Sequence, residues 1–340
     1  MTFAAAVLRW IAFALALALV SGVTGAQTLI KVGLTLPKGL KGAAPLTGAF
    51  EVFKEEVEKN SNGQLRVDIV YGGALGNEFD RLNQVRRGVI QMCDCNEATI
   101  ATVYKDIQVF SMPFLFPSEA VALQTLDGPL GTRAARQIQE RTGIRILGWL
   151  EHGGFKHYSG NAPLLKPEDM KGRKMRVQGP IFSIPVQAMG GSAVAIPFPE
   201  LYTSLKTGVV DGQDNALWAF NVAKLYEVQK FLTLSGHIYA FGPMSMNNAF
   251  FMSLSPALQA VVMEAAKKGV AFNRAASRAS EAQELEFAKA NGVTATALSP
   301  EAKAAFFAAT QPKAIEWLNQ NIDTPALVGE VVTAVRSAGK

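Results

Sequence analysis

The chain has 340 residues, 49% of them hydrophobic and 18% charged, with a formal net charge of +5. That composition excludes a disordered or fibrous chain and leaves ample core for two domains. The positive excess is scattered, without a basic run, so it argues against a nucleic-acid face and suits attraction of small anions.

The N-terminus reads as a secretory signal peptide over residues 1–26. Residues 1–9 hold one positive charge, residues 11–20 (IAFALALALV) form an apolar run, and small residues lead to Ala26. Cleavage near Ala26 leaves an exported, soluble mature chain. The apolar run is short for a bilayer span, and nothing later approaches that length.

LIKVGLTL, residues 29–36, predicts a strand. A helix follows from about Leu46 to Lys59, with Phe50, Phe53 and Val57 on one face, and NSNG stops it. QLRVDIVYG is the next strand, NEFDRLNQVRRG a helix closed by Gly88, and VIQMCDC a third strand. Such alternation points to an α/β protein with parallel strands and crossover helices. Cys93 and Cys95 lie two residues apart on that third strand, so their thiols face one way, about 7 Å apart. Two small buried side chains are expected, with a local disulfide as the alternative in an exported protein. No His pair joins them, which argues against a metal site.

The pattern then repeats. Residues 144–150, IRILGWL, read as a strand and HGGFKHYSGNAP as an irregular connector. PEDMKG is a short helix, KMRVQG a strand with alternating faces, PIFSIPVQAMGG a helix, SAVAIPF a strand and FPELYTSLKTG a helix. In VVDGQDNALW, Val209 and Val210 are read as the end of a strand and Asp211–Gly212 as its turn. Two α/β units are therefore joined by a glycine-rich crossing near Gly153 and Gly154. Ser255 and Pro256 open a helix that meets no breaker until Asn291–Gly292, long enough at about 50 Å to lie across both units. Two helices with an unmarked bend are the alternative.

Catalytic motifs are missing. There is no G-x-S-x-G elbow, H-E-x-x-H pair, phosphate loop or dinucleotide fingerprint, since GGALG has the wrong spacing. Anion capture is better supported. Arg176 stands on a strand that ends at QGP, where a helix begins. A guanidinium fixed there can grip a carboxylate with two charge-assisted bonds, and the helix N-terminus adds donors. A solvated strand-face arginine is the plainer reading. Asn215, in the polar turn, offers an amide to a bound oxygen, although Asp, Gly and Asn also serve ordinary turns.

KGRKMRVQG…AMGGSAVAIPFPELYTSLKTGVVDGQDN resembles the core of the solute receptors of tripartite ATP-independent periplasmic (TRAP) transporters, the DctP-type family. IKVGLTLP, GALGNEFDRLNQVRRG, FSMPFLF, PEDMKGRKMRV, YEVQKFL and the long helix extend the likeness over nearly the whole mature chain. The resemblance implies a two-lobed periplasmic-binding-protein (type II-like) α/β fold, with hinge strands and a long C-terminal helix bridging the lobes. Lobe I would take residues 27–152 plus about 241–280, and lobe II 153–240 plus about 281–340.

By the same resemblance Arg176 pairs with the ligand carboxylate, Asn215 hydrogen-bonds it, and Phe198 forms a cleft wall or a core aromatic. Many members carry arginine in a G-F-R motif where this chain has Lys156, which either meets a second oxygen as a point charge or faces water. Asn96, Glu97 and Thr99 match a cleft-lining stretch. Glu78 accepts hydroxyls or complements a helix dipole. Trp218 is an apolar lid or partial core.

The implied function is a periplasmic receptor, not an enzyme. It closes over a small organic acid and delivers it to the small and large permease subunits for ion-gradient-driven uptake. The expected ligand is a monocarboxylate such as a 2-hydroxy, 2-keto or aromatic acid, with a C4-dicarboxylate or sugar acid as the alternative. No cofactor, metal or nucleic acid is expected, and the protein is expected to be a monomer. The rivals are a periplasmic lyase or hydrolase on the same fold and a solute sensor for a receptor kinase.

Overall fold

The structure, a computed structural model, describes residues 27–39 and 44–339. The signal peptide expected over residues 1–26 lies outside the described residues. Among those described, nine strands form one mixed sheet: β1 (Thr28–Gly33), β2 (Leu65–Val70), β3 (Met92–Asp94), β4 (Ile144–Gly160), β5 (Lys174–Val177), β6 (Ser192–Ala195), β7 (Gly212–Asn215), β8 (Phe231–Asn247) and β9 (Thr294–Ala297). Their order is β2-β1-β3-β8-β4-β7-β5-β6, with β9 also on β8. The sheet thus has two outer parallel groups, β2-β1-β3 and β7-β5-β6. Two 17-residue antiparallel strands, β4 and β8, run between them.

Local chemistry sets each element. The helix Ala44–Asn60 connects β1 to parallel β2 and buries Phe50, Phe53 and Val57 as its spacing requires. Asn77 and Asp80 cap the helix Glu78–Arg86 reciprocally, and Gly88 (φ +73°) reverses the chain after it. Pro256–Ala290 is a single 35-residue helix, capped by the Ser255 side chain, so no bend divides it. Gly269 lets it approach the helix Ala44–Asn60 closely: a Cβ there would sit 2.5 Å from Ala49 O.

Two expectations are corrected. HGGFKHYSGNAP is not an irregular connector; most of it belongs to β4, paired with β8 through to Gly160. Gly153 and Gly154, both at positive φ, mark a bulge where the register shifts between Glu151 and Gly154. Glycine here bends a strand without ending it. Val209 and Val210 do not end a strand, and Asp211–Gly212 is not its turn. Val209 is 52% exposed ahead of β7, and the polar run Gly212–Asn215 is itself the strand. Its Gln213 and Asn215 side chains hydrogen-bond inside the protein, Gln213 donating to Ser159 Oγ at 2.8 Å, so polarity disguised a buried strand.

Cys93 and Cys95 are both free and buried, with Cys95 Sγ 3.1 Å from Ser245 Oγ. One core lies between β1, β2 and the helices Ala44–Asn60 and Pro256–Ala290, and a smaller one gathers around Leu201, Phe220 and Leu225. The largest runs across both halves, from Phe110 and Trp149 through Phe241 to Met175 and Phe306. The helix Pro300–Asn321 packs on Pro180–Ala188, whereas Ala326–Ala338 packs on Lys105–Ser111 and Glu119–Asp127. The C-terminal segment therefore reaches residues assigned above to lobe I and is not confined to lobe II. Asp106 fixes it there, accepting from the backbone of Asp323 and Thr324 at 2.7 and 3.0 Å.

Candidate anion-binding site

Several strands end at one place. The chain leaves β1 through Thr35, β3 through Cys95 and Asn96, β5 through Gln178 and β7 through Ala216, while the crossing strand β4 contributes His152 and Lys156. Together they line a small cavity of about 50 Å³. A second cavity, of about 260 Å³, adjoins it, sharing Glu78, Asn96, Gln178 and Phe198 and adding Arg176. Open α/β sheets bind ligands beyond the carboxyl ends of their strands for this reason.

Arg176 is only 2% exposed, which excludes the solvated reading. Its Nε donates to Ile196 O at 2.8 Å, fixing the plane of the guanidinium. Its Nη1 is buried with no hydrogen-bond partner among the described residues. An orphaned cationic donor is costly, and an anion seated beside it would satisfy it. Burial draws the guanidinium below its ordinary pKa, and the charges of Asp214 and Glu78 push back.

Asn215, the last residue of β7, lines the first cavity, its Nδ2 donating to Gln213 Oε1 at 2.5 Å. Behind it Asp214 meets His237 Nε2 at 3.3 Å, His237 Nδ1 meets Ser235 Oγ at 2.8 Å, and Tyr158 stacks on the imidazole at 4.0 Å. Burial works against the Asp214 charge. The His237 hydrogen bond, Lys156 and Arg176 nevertheless hold it below the ordinary carboxylate range. This Ser–His–Asp set is buried and lines neither cavity, so it has no access to a substrate.

Lys156 neither faces water nor stands free for a second carboxylate. It is buried, 2.7 Å from Glu97 Oε1 as an ion pair, hydrogen-bonded to Gln178 Oε1, and 4.1 Å from the Phe182 ring centre. Glu97 is therefore spent on Lys156. Asn96 lines both cavities but also caps the helix Glu97–Ala101, its Oδ1 accepting from Thr99 N and Thr99 Oγ1, each at 2.9 Å. Thr99 is fully buried behind it and lines neither cavity. Phe198 forms a wall of both, and Trp218 lines the first, its Nε1 donating to His152 O at 2.5 Å.

Glu78, in the first turn of its helix, lines both cavities. Burial, then the Asp94 charge, pushes its carboxyl up to about 7 against the opposing pull of Arg81 and Arg176. Sequence reasoning missed its supports. Arg81 and Asp94 form a buried ion pair at 2.8 Å; Asp94 also accepts from Thr35 N, and Arg81 Nη1 donates to Gly76 O at 2.6 Å. This network ties the ends of β1 and β3 to the Gly72–Gly76 loop. One signal was present: Arg81 shares a helix face with the buried Leu82 and Val85, an odd place for a cation without a partner.

A two-group sheet crossed by β4 and β8, with polar groups converging at strand ends, defines a cleft receptor for small solutes. Residues 39–321 match the bacterial extracellular solute-binding protein family 7, DctP, and the chain belongs to that family. It is 33% identical over 289 residues to a solute-binding protein of Verminephrobacter eiseniae, covering 84% of each chain. The sugar acid-binding protein of Advenella mimigardefordensis in complex with galactonate superposes with a TM-score of 0.85 at 31% identity, over 92% of this chain and 99% of that one. A TRAP periplasmic solute-binding protein of Sulfurospirillum deleyianum with bound succinate superposes with a TM-score of 0.81 at 27% identity, over 90% and 99%. The protein is thus a TRAP-type solute receptor of the two-lobed α/β fold, in a family of periplasmic binding proteins and not of enzymes.

Proposed function

We propose that this receptor captures a hydroxylated acid carrying one carboxylate, a sugar acid or a simpler 2-hydroxy acid, and delivers it to a membrane permease. The observation that carries this reading is the buried, unpartnered Nη1 of Arg176 beside the cavities. It supplies the grip for one carboxylate, with Asn215 as a second donor. Lys156 is neutralised by Glu97 and Arg81 by Asp94, so among the described residues lining these cavities no second free cation awaits another carboxylate. The amides of Asn96, Asn215 and Gln178 suit hydroxyls, and Phe198 and Trp218 suit the apolar face of a carbon chain or ring. The galactonate complex of the similar Advenella protein supports this choice.

The lobes assigned from the sequence would pivot where β4 and β8 cross, at the bulge beside Glu151 and Gly154, and the ligand would select the closed form. We further propose that residues 1–26 are removed on export and that the receptor acts as a monomer. A thermal-shift panel of galactonate, glucuronate, lactate and succinate, followed by calorimetry, tests the ligand class. Hydroxylated monocarboxylates should raise the unfolding temperature and succinate should not. Succinate as the tightest binder would overturn the single-carboxylate reading.

A further inference from the structure

Glu78 and Phe198 are shared by three adjoining cavities: the two above and a wider opening of about 560 Å³ towards the Gly72–Gly76 loop. Glu78 thus borders every one of these cavities. The groups facing it come from every neighbouring element: Arg81 on its own helix, Asp94 at the end of β3, Glu97 on the next helix, Arg176 on β5, His152 and Lys156 on β4, and Glu200 across the opening. Two of these cations are already committed, Lys156 to Glu97 and Arg81 to Asp94. Among the described residues lining these cavities Arg176, with its buried orphan Nη1, is the remaining cation, and a ligand carboxylate would compete with Glu78 for it.

We propose that Glu78 couples ligand capture to proton uptake: its carboxyl takes a proton from solvent as the anion docks on Arg176, and then donates a hydrogen bond to a ligand oxygen. This inference rests on the single-carboxylate reading above. The electrostatics favour it, because seating an anion on Arg176 removes the charge that helps keep Glu78 ionised. Free Glu78 is already poised near neutrality, at about 7, so little work is needed to protonate it. The neighbouring His152 does not confuse the effect: burial lowers its pKa, so it is neutral above pH 7. A protonated Glu78 also explains how three acidic side chains can line a site for an acid, since one of them becomes a donor when the site is filled.

The sign follows. Protonated Glu78 binds better, so affinity falls as pH rises above the free value and levels off once the bound form also ionises. Calorimetry with the tightest acid of the panel, in buffers of different ionisation enthalpy from pH 6 to 9, should show uptake of about one proton per ligand near pH 8. The Kd should rise by up to about tenfold per pH unit above 7. In Glu78→Gln, which carries a permanent donor, uptake should vanish and the profile flatten, with folding checked by circular dichroism. A pH-independent wild type without proton uptake overturns the inference while leaving the receptor reading intact. A Glu78→Gln profile that still tracks the wild type also overturns it. Absence of binding by every acid in the panel would remove the reading beneath it and overturn both.

Discussion

Lys156 shows how one residue's role depends on a partner distant in sequence. Its Nζ lies 2.7 Å from Glu97, with both side chains almost wholly buried. A buried charge that loses its partner is penalised heavily, whereas a matched neutral pair is tolerated. Lys156→Met should therefore cost about 3–5 kcal/mol in urea unfolding, and adding Glu97→Gln should recover part of that loss. A Lys156→Met protein as stable as wild type would show that the pair carries no such weight. In the sequence, Lys156 was legible only as a basic residue in the wrong place for a fork-shaped grip. The pairing that removes it from ligand chemistry brings together β4 and the helix Glu97–Ala101, far apart in sequence. Arg176 and Asn215 were legible as candidates only through the family resemblance, because a strand-face arginine and a turn asparagine have ordinary uses too, and the burial of Arg176 was not legible. Thr99 was over-read: a hydroxyl beside a cleft-lining stretch is equally a partner for the N-cap Asn96.

At the level of elements, the bulge in β4 and the long helix act together. Asn273 on that helix is fully buried; its Oδ1 accepts from Glu151 N at 2.7 Å, and its Nδ2 donates to Glu151 O and Pro45 O at 3.0 and 3.1 Å. One side chain thus satisfies the backbone that the register shift leaves unpaired and ties it to the helix Ala44–Asn60. Asn273→Ala orphans those groups and should cost roughly 2–4 kcal/mol, by the penalty for a buried unpaired polar group. Equilibrium urea unfolding reads it directly, and a loss under about 0.5 kcal/mol would mean that water replaces the side chain at no cost. The long helix was legible from its cap and the absence of breakers. The crossing strand was not, because Gly153 and Gly154 give the same local signal in a loop and in a bulge. Only the pairing with β8, contributed by residues far along the chain, decides between them. β7 was missed for the opposite reason: its polar side chains, buried and hydrogen-bonded, mimic a turn.

For the whole molecule, the distribution of apolar packing bears on closure. Two cores belong to separate ends of the sheet, while the largest continues across the middle, from Phe110 and Trp149 to Met175 and Phe306. On the closure proposed above, such a continuous core would oppose free separation of the halves and would place the pivot at the crossing strands. The α/β class and the family were legible because several motifs recur in order. The path of the C-terminal helices over both halves was not, since their amphipathic faces do not say which neighbour they meet. All of these features converge on one proposal: the buried guanidinium of Arg176, fixed by Ile196 O and with its Nη1 unpartnered among the described residues, holds the ligand's carboxylate. The direct test is calorimetric titration of folded Arg176→Ala beside wild type, with the tightest acid of the panel at pH 6. The account predicts at least about hundredfold weaker binding, the scale expected when one partner of a buried charge pair is removed. Binding within about threefold of wild type would contradict it.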